Sequence, residues 1–230
     1  MKTLPKTIFG LVLLAMPTFA ASSAFAASPS ATAKDTVQVQ TALSAAGVSS
    51  RETSLGNLIA DALRQTGHSQ IALIPADEID GNAKISAGKV EISTLVATLR
   101  YAADPSDTVV VLNLTGAQLL KVAERSVSRA PQPFDGFLQI SGLQIRYSPS
   151  QAAGSRVSLV GVGGGEVDAG KTYRVAVSRP LAGGSLGYFQ IFGQKDIIED
   201  TGVSISKCLS SYLAIHPTIS TVVEDRITTR

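Results

Sequence analysis

Apolar residues recur at helical spacing over Thr53–Gln65. Leu55, Leu58, Ile59, Ala62 and Leu63 fall at i, i+3, i+4, i+7 and i+8 and form one stripe. Gly56 and Asn57 sit in the first turn, where Gly is costly unless something approaches the backbone closely. The patterning also predicts helices over Ser93–Arg100, Thr115–Arg129 and Ser204–Ile215, with Thr115 and Gln118 forming a capping box. Apolar and polar residues alternate over Thr108–Leu114, Leu138–Tyr147, Val157–Val162 and Tyr173–Ser178, which predicts strands. Ala27 to about Val48 is rich in Ala, Ser and Thr and poor in large apolar residues, which predicts a flexible linker or frayed N-terminus. The mixture predicts an α+β fold over residues 49–230, a single domain with a mixed β-sheet and packed helices, without internal repeats.

The first 26 residues belong to a different class. Lys2 and Lys6, the apolar run Ile8–Met16 and the A-x-A string Ala24-Phe-Ala26 have the form of a secretory signal peptide, too short to span a bilayer. No Cys lies near the cleavage site, and no other apolar run has membrane-spanning length. The mature chain is expected to be periplasmic or secreted and not membrane-bound. Removing the two leader lysines from 20 basic residues leaves 18, against 18 acidic. A formally neutral chain argues against a nucleic-acid binder, which needs a basic face. Cys208 is the single cysteine, so no disulfide forms within the chain; its place beside Ile205, Leu209 and Tyr212 points to a buried, inert thiol.

Three motifs invite a chemical reading, and the residues around them favour a plainer one. Gly165-Glu-Val-Asp-Ala-Gly-Lys-Thr172 fits the phosphate-loop pattern G-x-x-x-x-G-K-[ST]. That cradle needs a helix starting at its Lys, whereas the residues after Lys171 alternate like a strand. Gly161-Val-Gly-Gly-Gly165 reads as a hairpin turn. Asp77-Glu-Ile-Asp-Gly-Asn82 lacks calcium-loop spacing and reads as a solvated acidic turn. Asn113-Leu-Thr115 is a sequon at a strand end. His68 and His216 lie far apart, and neither metal-ligand spacing nor a nucleophile motif is present.

Several strings, in one order, resemble the C-terminal domain of 5'-nucleotidases, a family that includes UDP-sugar hydrolases and 2',3'-cyclic phosphodiesterases. Leu55-Gly-Asn-Leu-Ile-Ala-Asp-Ala-Leu63 resembles the opening helix, and Ile71-Ala-Leu-Ile74 the strand after it. Val109–Leu120 resembles "VVxLTGxQLL", Phe137–Tyr147 "FLQVSGLRFxY" and Lys171–Val177 "KTYRVA". Leu181–Tyr188 falls at a Gly-rich substrate loop, and Arg226-Ile227 matches a closing "RI". The resemblance spans roughly residues 49–228. In the family, a preceding metallophosphatase domain supplies a dinuclear metal site from His, Asp and Asn. The resemblance thus implies a stand-alone C-terminal domain with no cofactor of its own, divalent metals entering only through a separate metallophosphatase subunit.

The resemblance implies a nucleotide or nucleoside ligand, held by two aromatic rings, arginines, an Asn and an Asp. Arg51, Asn57, Tyr101, Gly184, Gly187 and Tyr188 are the ligand-binding candidates it offers here. The chain departs from the pattern at several of the family's ligand positions. The N-G-G-x-x-R loop falls on Pro75–Asp80, which puts Pro75 for Asn and Asp80 for Arg. The first stacking Phe falls on Pro105, or near Tyr101 with a small insertion, and the second on Pro180. The loop Asp falls on Leu186 or Ser185, and the Arg ahead of the first helix stands at 51 and not 49. Base stacking contributes roughly 1–3 kcal/mol per ring, against about 8 kcal/mol for a micromolar complex. The expectation is a degenerate nucleotide site in a domain without catalysis of its own. Two alternatives are half of a split hydrolase, and a structural or binding protein for an unrelated ligand.

Overall fold

The computed structural model describes Met1 and residues 35–230; the leader and residues 27–34 lie outside the described residues. From residue 35 the chain runs through β1 (Thr36–Val39) and β2 (Leu43–Ser44) into α1 (Ser54–Thr66) and β3 (Ile71–Pro75). Short strands β4 (Lys84–Ile85) and β5 (Gly88–Glu91) lead into α2 (Ile92–Val96). Then come β6 (Thr108–Thr115), α3 (Gly116–Ser126), β7 (Leu138–Ser141) and β8 (Leu143–Tyr147). β9 (Val157–Val162) and β10 (Gly165–Glu166) precede β11 (Thr172–Ser178) and α4 (Arg179–Ala182). The chain closes through β12 (Ile197–Ser204), α5 (Ile205–Ile215), β13 (Thr218–Ile219) and β14 (Ile227–Thr229).

Five strands form the central sheet in the order β12–β6–β11–β3–β7, with β11 and β3 parallel and the other pairs antiparallel. Strand β3 is buried on both faces. Its Ala72 and Ile74 join Leu55, Leu58, Ile59 and Leu63 of α1 and Leu209 and Leu213 of α5 in one core. Its Ile71 and Leu73 join Leu119 and Val122 of α3 and Ile145 of β8 in the other. The sheet is thus covered on both sides, by α1 and α5 on one face and by α3 and β8 on the other.

Four sequence expectations need correction. Residues 36–48 are not a linker: Val37, Val39, Leu43, Ala45 and Val48 are buried, and β1 pairs with β13 and β5. Small residues dominate this stretch, but the alternation of Val37 and Val39 suffices to bury one face. Leu138–Tyr147 is two strands in two sheets, broken at Gly142, whose φ of 70° turns the chain out of the central sheet. Helix α2 ends at Val96 instead of Arg100. Beyond it Thr98 donates back to the Leu95 carbonyl at 2.6 Å, and the backbone bridges to Ile79. Helix α3 stops at Ser126, three residues early, and the Ser126 hydroxyl accepts the Leu138 N–H at 2.9 Å.

Gly56 has the close neighbour its position calls for. A Cβ there would land on the side-chain amide of Gln139, which is fully buried. The Gln139 amide nitrogen donates to the Val48 and Arg51 carbonyls at 2.9 and 2.8 Å. Its oxygen accepts the Thr53 N–H and hydroxyl at 2.9 and 3.1 Å. Ala favours a helix over Gly by about 1 kcal/mol, so the sign of Gly56→Ala separates propensity from packing. Gly56→Ala is expected to destabilise by about 2 kcal/mol, and Gln139→Leu by about 3 kcal/mol because it strands buried backbone groups. Urea titration measures both, and a stabilised Gly56→Ala refutes the packing account.

Candidate functional site

Three segments far apart in sequence meet at the edge of the central sheet. The first is the 3-10 turn Ala76–Glu78 after β3. It is held by Ala76 N–H on the Phe137 carbonyl, Asp77 N–H on the Asp135 carbonyl, and Arg100 N–H on the Glu78 carbonyl, at 2.8–3.0 Å. The second is the connection from α2 to β6, which carries Tyr101, Asp104 and Asp107. The third is α4 and the loop after it. Ser178 caps α4 and also donates its hydroxyl to Glu78.

Together they enclose a cavity of about 260 Å³ lined by Asp77, Glu78, Tyr101, Asp104, Asp107, Pro180, Ser185 and Leu186. Four of the eight are carboxylic acids, and none is Lys or Arg. The nearby guanidinium groups have other partners. Arg100 Nε donates to the Ile79 carbonyl at 3.1 Å, and Arg179 pairs with Asp200 and Thr108. Glu78 and Asp107 are 4% and 5% exposed. Each keeps one buried oxygen, Oε2 and Oδ1, without a hydrogen-bond partner. Burial raises the Glu78 pKa well above the usual carboxylate range, and the Asp107 charge adds to this while the Ser178 hydroxyl opposes it. Burial, then the charge of Asp104, pushes Asp107 up to about 6, against the Arg179 N–H. Tyr101 is raised by the charge of Asp77, to which its hydroxyl donates at 3.2 Å.

Leu186 has φ of 56°, a left-handed conformation unusual for a residue with a branched side chain. Its carbonyl is gripped by Arg125 Nε and Nη2 at 3.0 and 2.5 Å. Gly184 and Gly187, with φ of 86° and 85°, flank it, and a Cβ on either would collide, with Phe189 or with the Arg125 guanidinium. The two glycines shape this loop, while Ser185 and Leu186 between them line the cavity.

Of the six candidates from the sequence, Tyr101 lines the cavity and the others do not. Arg51 turns both guanidinium nitrogens Nε and Nη2 to the Ala46 carbonyl, at 3.1 and 3.0 Å. Asn57 is buried and donates to Glu52 Oε1 at 2.6 Å and to the Val222 carbonyl at 2.9 Å. Tyr188 is a core residue that stacks on Phe192 and donates to the Gly136 carbonyl at 2.7 Å. Of the altered family positions, Pro180 and Leu186 line the cavity; Asp80 instead closes a local turn with the Asn82 N–H at 3.0 Å. The solvated acidic turn is corrected at Glu78, which is buried. Glu78 and Asp107 are the residues the sequence reading missed, because nothing local marks an acid 29 positions from another as its neighbour.

The other motifs hold the plain roles expected of them. Lys171 precedes strand β11 and not a helix, and Gly163 and Gly164 form the β9–β10 turn. Cys208 is buried, with its thiol pushed up to about 11 by burial, and accepts from the Thr66 hydroxyl. Among the described residues no group of three His, Cys, Asp or Glu is placed to hold a metal.

A profile of the family described as "5'-nucleotidase, C-terminal domain" matches residues 29–194. The chain belongs to this family. The match begins ahead of β1, in keeping with residues 36–48 being part of the domain. The chain is 26% identical over 198 residues to a 5'-nucleotidase of Diplobatis ommata, covering 77% of this chain and 33% of that protein. It is 28% identical over 202 residues to the 5'-nucleotidase of Homo sapiens, covering 77% and 33%. A 5'-nucleotidase precursor from Thermus thermophilus superposes with a TM-score of 0.75 at 30% identity, over 84% of this chain and 39% of that one. The NAD nucleotidase of Haemophilus influenzae shares the fold, with a TM-score of 0.71 at 16% identity. The chain thus spans about a third of the curated relatives' length.

The raised acids have a consequence for stability. A carboxyl that binds its proton more tightly when folded contributes stability below the unfolded pKa of about 4, and this is lost as pH rises through about 6 for Asp107. The wild type is expected to lose about 1 kcal/mol relative to Asp107→Asn across that window, allowing for solvent screening. Paired thermal melts against pH measure this, and a difference that grows in the wild type's favour with rising pH refutes it.

Proposed function

We propose that this chain is an exported ligand-holding domain related to nucleotide catabolism, in which the nucleotide cleft has become an acidic cavity and which has no catalysis of its own. The observation that carries this is the cavity wall, in which Asp77, Glu78, Asp104 and Asp107 converge with no basic residue among the lining. Each unit of negative charge on a phosphate brought against an ionised carboxylate a few ångströms away is repelled by about 1 kcal/mol even at the dielectric of water, and by more near a surface. Pro180 and Leu186 line the wall without a ring, which leaves the half-exposed Tyr101 as the single aromatic face in the lining. Export is supported by the leader pattern of residues 1–26, and by the relatives that include snake venom 5'-nucleotidases. No helix among the described residues is long and apolar enough to cross a membrane.

Split-hydrolase pairing is the second reading, and it rests on the match of residues 29–194 to the C-terminal domain of 5'-nucleotidases. A separate metallophosphatase would then supply the divalent metals and the activated water.

Calorimetry with the mature chain is expected to give dissociation constants for adenosine and AMP weaker than about 1 mM, the level of some 4 kcal/mol. AMP should bind no better than adenosine, and no phosphate should be released from AMP with Mn²⁺, Co²⁺ or Zn²⁺. A micromolar constant for AMP, or metal-dependent hydrolysis that follows the protein through two columns, overturns the reading.

A further inference from the structure

Gly163 and Gly164 turn the chain between β9 and β10, but Gly161 lies before that turn, inside β9. Glycine weakens a strand interior, and where it occurs it marks a bulge, a tight bend, or close approach by a ligand or another backbone. Gly161 stands in unbroken register with Gln144 of β8 and Glu166 of β10. Its φ is outside the left-handed region, and a Cβ there would stay 3.4 Å or more from its nearest neighbours, the Gly165 carbonyl, Gln144 and Leu159. Neither backbone conformation nor a crowding neighbour therefore calls for this glycine, and what its missing side chain leaves is room. Gly161 and Gln144 line a cavity of about 350 Å³ that shares no residue with the acidic one.

Two guanidinium groups, Arg64 and Arg226, and two carboxylates, Asp61 and Glu224, line the same cavity. A continuous chain of hydrogen bonds joins them. Arg64 Nε donates to the Ser141 hydroxyl at 2.7 Å, Ser141 donates to Asp61, and Arg226 joins Asp61 at 2.9 Å and Glu224 at 2.8 Å. Asp61 and Arg226 satisfy each other in the middle of this chain, and its two ends keep capacity to spare. Arg64 is exposed, its Cδ lies beside the lining residue Gly142, and its Nη1 and Nη2 have no partner among the described residues. The Glu224 side chain is 48% exposed, and its bonds from Arg226 both end on Oε2, which leaves Oε1.

We infer that this cavity binds a small zwitterion, a free α-amino acid, with its carboxylate on the Arg64 fork and its ammonium on Glu224 Oε1. A lining whose charges cancel, with one cation and one anion still able to bond, matches a ligand that carries both charges. A simple anion would gain Arg64 and be repelled by Glu224, and a simple amine would meet the reverse. The bare backbone at Gly161, Gly163 and Gly164 and the Gln144 amide suit a short polar side chain. The site is independent of the acidic cavity, and each stands without the other.

The test is calorimetric titration of the mature chain at neutral pH with L-serine, and with ethanolamine and hydroxypropionate, which lack its carboxylate and its ammonium in turn. Serine is expected to bind below about 1 mM, and each of the other two at least about tenfold more weakly. Gly161→Val puts a side chain into the cavity at a strand position that suits a β-branched residue, so it should abolish saturable serine binding without lowering the urea midpoint. Arg64→Gln, at an exposed side chain, should weaken serine by about tenfold, and decides the matter if Gly161→Val fails to fold. No saturable serine binding by the folded wild-type chain overturns the inference. Ethanolamine or hydroxypropionate binding as tightly as serine also overturns it, by assigning the cavity to a cation or an anion alone. Serine affinity unchanged in either folded variant overturns it as well, because the ligand then sits elsewhere.

Discussion

The side-chain amide of Gln139 lies fully buried between the edge strand β7, the loop before α1 and the first turn of α1, and its four hydrogen bonds join all three. A primary amide has two donors and two acceptor lone pairs, and here all are used. Such a group is favourable only as a complete set, since removing one partner leaves desolvated polar atoms behind. The requirement explains the glycine at position 56, where any side chain would occupy the space the amide needs. It also explains why Thr53 both caps α1 and donates to Gln139, one hydroxyl serving two contacts.

The C-terminal segment is fastened to the same helix by charge. Arg226 forms a two-pronged pair with Asp61 of α1 at 2.9 Å and also reaches the Ile140 carbonyl of β7. Glu52, just ahead of α1, accepts the backbone N–H groups of Glu224 and Ile227. The side chains here are largely buried, so these contacts suffer little of the screening that weakens exposed pairs. The strings around Gly56-Asn57, Gln139 and Arg226-Ile227 are therefore one scaffold seen at three places in the chain. They place the end of β7 beside β3, and from there the Phe137 and Asp135 carbonyls position the turn that carries Glu78.

That turn lies beyond the end of a strand in an architecture this chain shares with its family. The scaffold contacts use backbone groups and a few buried side chains, so the loops above them can change their surface chemistry without disturbing the sheet. Inside the cavity, acids on the turn after β3 and on the α2–β6 connection face an apolar patch from α4 and the loop after it. The left-handed backbone at Leu186, held by Arg125, is a local strain that the packed surroundings sustain at this site.

Local pattern was enough to establish the helix α1 with its stripe, the cap at Thr115, the alternation in β6, β9 and β11, and the turn at Gly163-Gly164. Each of these is decided by residues within one or two turns of one another, so the signal lies in adjacent positions. The order of the strings along the chain identified the family, since a shared scaffold constrains the residues that build it. Burial of polar residues was decided elsewhere. Glu78 reads as a surface acid until Ser178, 100 positions away, and Asp107 close over it. Tyr188 reads as a ligand residue until the Gly136 carbonyl takes its hydroxyl, and Arg51 until the Ala46 carbonyl takes its guanidinium. The periodicity of an element states which of its faces is apolar, but which loops meet beyond its ends depends on strand order and register, and those exist only in the folded chain.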